Sequence, residues 1–261
     1  MCVAGEPNLM ASTVTALCLT RDRRDWLPQA IACFQSQTYI DCKMLIVVDG
    51  ENIADLIPND PHILLVQAPG NPYPMTVGAK RNLGCSLADT EYICNWDDDD
   101  YSAPGRIADQ ISILESSGKS VAAYDRMKFT NGMDWWQYKG GVLGTSLCFR
   151  RSWWVRNKFN DQQVGQDEYF GFIAEAHKQL VKADAKDLMV ASCHLSNTSP
   201  RVINPRSKSY TKMGAPDIRL MDGWLQVCLR NNFAHGGEIT SKESYLVGEH
   251  ACELSAKGIP I

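Results

Sequence analysis

Short apolar, β-prone runs recur through the N-terminal part of this chain, with helix-patterned stretches between them and polar or acidic residues at their ends. Residues 13–19 (TVTALCL) form the first run, closed by the polar cluster 20–24. From Leu27 to Gln37 the apolar residues Leu27, Ile31 and Phe34 keep helical spacing, and Pro28 suits a first turn. Residues 44–48 (MLIVV) give a second buried strand that stops at Asp49-Gly50, and residues 63–66 a third. A Pro/Gly-rich loop, 69–74, precedes a helix over 76–88. A fourth strand, 91–96, then runs straight into Asp97, Asp98, Asp99 and Asp100. Strands alternating with helices at this spacing predict a mostly parallel, doubly wound α/β sheet, whose ligands bind at the carboxyl ends of strands. Asp49 and the aspartate run both fall at such ends.

The later pattern is less regular. It predicts a helix from Pro104 to Ser117, strands at 121–124, 147–149 and 188–192, a helix starting at Ser152, and another from Gly165 to about Leu180. Residues 126–144 read as an irregular aromatic and Gly-rich segment containing Trp135, Trp136 and Tyr138. Past Pro200 the chain turns basic, and an amphipathic piece spans 218–229.

A 261-residue chain with 44% hydrophobic content buries a full core. Its net charge of −4 gives no general attraction to nucleic acid or to an anionic membrane. No stretch approaches the ~20 apolar residues of a membrane span, and residues 1–12 lack the pattern of a leader. The ten cysteines include no C-x-x-C pair, so reduced thiols in a cytoplasmic core are expected.

Four adjacent carboxylates repel one another unless a cation is present. Magnesium and manganese prefer such oxygen donors. Alternation at a strand end puts Asp97 and Asp99 on one side, where one binds metal and a neighbour meets a ribose hydroxyl or metal-bound water. An acidic turn capping the next helix, or a calcium site, is the competing explanation of the run alone.

The ordered set Thr20, Asp49, Gly78-Ala-Lys-Arg-Asn-Leu-Gly84 and the aspartate run resembles the inverting family 2 glycosyltransferases of the type-A (GT-A) fold. The resemblance spans residues 13–200 and implies a single Rossmann-like GT-A domain, with a donor half over 13–103 and an acceptor half over 104–200. A tail, 1–12, and a C-terminal extension, 201–261, flank it. By this resemblance Thr20, Asp49, Arg81, Asn82, Asp97 and Asp98 hold the nucleotide, and Asp99, Asp97 and His194 hold Mn²⁺ or Mg²⁺. Gly165-Gln-Asp-Glu-Tyr-Phe170 is similar to the family's G-E-D-x-x-F segment, with Gln166 in place of glutamate, which makes Asp167 the general base. Where the family often has two acids at the second strand's end, this chain has Val48-Asp49.

The implied activity is transfer of a sugar from a nucleotide-diphosphate donor, a UDP-sugar first, to a glycan, lipid-linked glycan or other hydroxyl-bearing acceptor. Nucleic acid is a less favoured acceptor, and a cytoplasmic location leaves peripheral contact with a membrane open. A nucleotidyltransferase of related fold would need glycines in the loop 20–24, which has none. A binding module without turnover would not need Asp167.

Overall fold

The computed structural model describes residues 14–69, 74–194, 197–198, 208–216 and 222–233. The expected N-terminal tail and most of the C-terminal extension lie outside them. Strands β1 (Val14–Thr20), β2 (Cys42–Val48), β3 (Ile63–Gln67) and β4 (Tyr92–Asp97) pair in parallel in the order β3-β2-β1-β4. Helices α1 (Leu27–Gln35) and α2 (Val77–Leu87) follow β1 and β3.

The side chains of β1, β2 and β4 are mostly buried on both faces, whereas β3, at the end of the order, is buried only at Ile63. Val14, Ala16 and Cys18 of β1, with Met44, Ile46 and Val48 of β2, point into one core, while Leu17, Leu45 and Val47 point into the other. This explains why the strands read as continuous apolar runs rather than alternating ones. Helix α1, with α3 (Arg106–Ser117) and part of α6 (Asp222–Phe233), covers the first face. Helices α2, α4 (Arg151–Arg156) and α5 (Gln166–Ala176) cover the second.

Beyond β4 the sheet turns antiparallel through β8 (Cys148–Arg150) to the long β6 (Val121–Thr130). The segment expected to be irregular is instead a hairpin, β6 with β7 (Trp135–Lys139). Its turn is closed by Asn131 Oδ1, which accepts from the backbone N–H groups of Met133 and Asp134 at 3.0 and 2.8 Å. The helix expected to reach Leu180 ends at Ala176. Lys178 adopts a left-handed φ of 57°, Gln179 N–H returns to Ala174 O at 2.8 Å, and β9 (Leu180–Asp184) begins. Strand β10 (Met189–Ser192) pairs with β6 and with the short β5 (Tyr101–Ser102). Strand β11 (Tyr210–Met213), from the C-terminal extension, adds to β7.

Arg106, fully buried, fastens the junction of the two halves. Its guanidinium donates to Asn95 O at 2.6 Å, Thr145 O at 3.0 Å and Ser102 Oγ at 2.7 Å, and lies over the Trp96 ring. Among the described residues every cysteine is free, and no helix is long and apolar enough to cross a membrane.

Candidate active site

A cleft of about 700 Å³ opens over the carboxyl ends of β1 and β4. Thr20, Arg81, Asp97, Asp98, Asp99 and Asp167 all line it, so the structure gathers six of the residues singled out by sequence into one cavity. Asp97 is partly exposed, whereas Asp98, Asp99 and Asp100 are buried. Arg23, in the loop after β1, donates to Asp98 Oδ1 at 2.7 Å and Asp99 Oδ2 at 2.8 Å. Burial opposes the charge on Arg23, but the Asp98 and Asp99 carboxylates outweigh it and raise its pKa further. Burial also pushes the Asp98 carboxyl up, against the pull of Arg23.

The four aspartates have separate tasks. Carboxylate oxygens of Asp97, Asp99 and Asp100 lie within 4.8 Å of one another. Asp100 also reaches the segments beyond β6, accepting from Thr145 Oγ1 at 2.6 Å and from Ser192 N–H at 3.0 Å. Asp99 Oδ2 is met by His194 Nε2 and Asn197 Nδ2, both at 3.1 Å, and the Trp224 indole donates to Asp99 O at 3.0 Å. His194 stacks on Trp26 at 4.5 Å. Asp98 Oδ2 is buried with no hydrogen-bond partner among the described residues. The clustered oxygens of Asp97, Asp99 and Asp100 form a hard-oxygen donor set, which fits a divalent cation. The clustered carboxylates add Asp100 to the expected Asp97 and Asp99, and His194 stands behind Asp99.

Asp167 sits in the first turn of α5, where the helix dipole favours a carboxylate. Arg81 of α2 joins it to the aspartate run: its guanidinium lies 3.7 Å from Asp97 Oδ1 and 3.7 Å from Asp167 Oδ2, and donates to Gln166 Oε1 at 2.7 Å. Gln166, standing where glutamate is usual in the family, is the buried acceptor that fixes Arg81. Gly144 makes room for the Asp167 carboxylate. A Cβ there would fall 1.5 Å from Asp167 Oδ2.

Two expected nucleotide-binding residues do not line the cleft. Asp49 forms a buried ion pair with Lys80 and accepts from Met75 N–H at 3.1 Å, and it is Lys80 that faces the cavity. Asn82 turns to the segment after α4. It donates to Phe159 O at 2.8 Å and accepts from Trp154 Nε1 at 2.9 Å and Phe159 N–H at 3.1 Å. Sequence reasoning gave no role to Arg23, Lys80, Gly144 or Tyr210. Arg23 and Lys80 were visible as cations beside the motifs. Nothing in a single sequence marks Gly144.

A parallel half carrying carboxylates at its strand ends, joined to a mixed half that brings another carboxylate opposite, defines the GT-A architecture. Residues 17–181 match the family described as glycosyl transferase family 2, and the chain belongs to that family. Among solved structures, residues 1–349 of S. aureus TarS in complex with UDP-GlcNAc share 15% identity and a TM-score of 0.59, over 71% of this chain and 60% of that one. The mannosyltransferase PcManGT from Pyrobaculum calidifontis, in complex with GDP-Man and Mn²⁺, shares 14% identity and a TM-score of 0.54, over 69% of this chain and 56% of that one. This chain therefore spans under two thirds of either structure's length, and the likeness is one of fold. A search of curated proteins finds no match.

Proposed function

We propose that this chain is a metal-dependent, inverting glycosyltransferase that moves a sugar from a UDP-sugar to an acceptor hydroxyl. The observation that carries the reading is Arg81, which stands between Asp97 and Asp167 and brings a donor-side carboxylate and a candidate base to one cleft.

In this reading Asp97, Asp99 and Asp100 would hold Mn²⁺ or Mg²⁺, with His194 hydrogen-bonded to Asp99 behind them and Ser192 N–H to Asp100. A divalent ion held there supplies positive charge against the departing diphosphate. Thr20 and Asp98 meet the nucleotide, Lys80 carries the influence of Asp49 into the cavity, and Asn82 supports the pocket from behind. Asp167 takes the proton of the acceptor hydroxyl while that oxygen attacks the anomeric carbon from the face opposite the diphosphate. Arg81 and Gly144 fix the position of Asp167 for that transfer. The preference for UDP over GDP is the finer part of the proposal; the S. aureus structure holds UDP-GlcNAc and the archaeal one GDP-Man.

Calorimetry with UDP and with GDP, each with and without Mn²⁺, followed by a UDP-sugar hydrolysis assay, tests the reading. Mn²⁺-dependent binding, tighter for UDP, with measurable hydrolysis is expected. Binding that ignores the metal contradicts it, and metal-dependent binding with neither hydrolysis nor transfer leaves a nucleotide-binding module instead.

A further inference from the structure

The cleft carries an aromatic wall built partly from residues outside the family match. Tyr138 in β7 and Tyr210 in β11 face each other directly across an antiparallel pairing, with ring centroids 5.1 Å apart. Phe129 of β6 backs both, at 5.6 Å from Tyr138 and 5.8 Å from Tyr210. Phe129 is only 2% exposed, whereas the two tyrosines are half-buried. All three line the same cavity as Asp167. Side chains directly opposed on one sheet face reinforce one another, so the pair is a fixed surface rather than two independent rings. Gly140 allows this placement, because a Cβ there would come within 2.4 Å of the Tyr138 ring and hydroxyl.

Position and charge narrow what this surface meets. In the sheet, β11, β7 and β6 lie on one side of β4, and β1, β2 and β3 on the other. The wall therefore stands away from the strands that present Thr20 and Asp49. Among the described residues, each cavity-lining cation already has a partner: Arg21 with Asp22, Arg23 with Asp98 and Asp99, Lys80 with Asp49, and Arg81 with Gln166, Asp97 and Asp167. Strands β6, β7 and β11 contribute no cation to the lining. The charges that α5 adds are the carboxylates of Asp167 and Glu168, and burial together with Glu168 raises the pKa of the Tyr138 hydroxyl. Paired aromatic faces beside carboxylates repel a phosphate-bearing acceptor. They suit a ring with apolar C–H faces and hydroxyl donors at its rim.

Resting on the donor reading above, we propose that Tyr138 and Tyr210 form the acceptor subsite, and that it takes a pyranose ring of a neutral saccharide. The ring lies on the tyrosine faces with one hydroxyl turned to Asp167. Because Tyr210 lies beyond residue 181, where the family match ends, and Tyr138 lies within it, the subsite is shared between the matched residues and the C-terminal extension.

The test uses the full chain with UDP and Mn²⁺ present, and saturation-transfer NMR against maltotriose, cellotriose and chitotriose, with duplex DNA retention measured in parallel. At least one trisaccharide should show transfer. Tyr138→Leu and Tyr210→Leu should each weaken it by about tenfold in Kd, the equivalent of one lost contact of ~1.4 kcal/mol. Gly140→Ala, which displaces the Tyr138 ring without removing it, should weaken it in the same direction. UDP calorimetry on each variant reports separately on the donor site: no UDP binding by the parent chain sinks the donor reading. UDP binding with no trisaccharide signal, with signals unchanged in both tyrosine variants, or with retention of DNA in their place, overturns the acceptor proposal.

Discussion

At the scale of the residue, the site is organised by cations that hold carboxylates apart. Arg23 spans Asp98 and Asp99, and Arg81 stands between Asp97 and Asp167. Each buried guanidinium offsets repulsion that the aspartates alone would suffer. The tightest constraint comes from a residue with no side chain. Gly144→Ala would drive a methyl group into the Asp167 carboxylate, and displacing a reacting group by roughly 1 Å costs about 100-fold in rate. Sugar transfer by this variant should fall by that order while UDP affinity, measured calorimetrically, stays near that of the parent; normal transfer would mean that Asp167 does not need its present position. The sequence displayed the acids but not their wiring. Asp97, Asp99 and Asp167 were legible because a strand end and a helix start deliver them. The dependence of Asp167 on Gly144, and the pairing of Asp49 with Lys80, are contacts between distant segments that no local pattern encodes.

At the scale of the element, periodicity located β1 to β4, α1 and α2 closely, because β1, β2 and β4 each lie between two strands and carry buried apolar runs that fix the elements between them. It failed where backbone geometry rather than hydrophobicity decides. Helix α5 ends at Ala176 and the chain reverses through a left-handed Lys178, a conformation glycine usually marks, so no local signal announces β9. The β6–β7 hairpin turns on an asparagine side chain within residues that looked irregular. The extension also proved to matter to the site. Strand β11 supplies Tyr210, and α6 supplies Trp224, whose indole donates to the carbonyl of Asp99. Trp224→Phe removes that hydrogen bond to Asp99 O. The variant should lose about 1–3 kcal/mol in urea unfolding and bind Mn²⁺–UDP more weakly. Unchanged stability and unchanged binding would show that α6 merely lies against the loop.

At the scale of the whole molecule, one sheet joins two different halves. The parallel half, β3-β2-β1-β4, ends in Thr20, Asp49 and the aspartate run. The antiparallel strands β8-β6-β7-β11 bring an aromatic wall, and helix α5 brings Asp167, to the same cavity. Arg106 and Asp100 tie the halves together, through Thr145 in both cases. The central claim is that this junction performs transfer, with Asp167 as the proton acceptor. Asp167→Asn keeps the side chain's shape and removes its charge, so a direct measurement is sugar transfer beside Mn²⁺-dependent UDP binding in that one variant. Transfer reduced to background with UDP affinity preserved is the predicted result, and transfer near the parent rate would contradict the account.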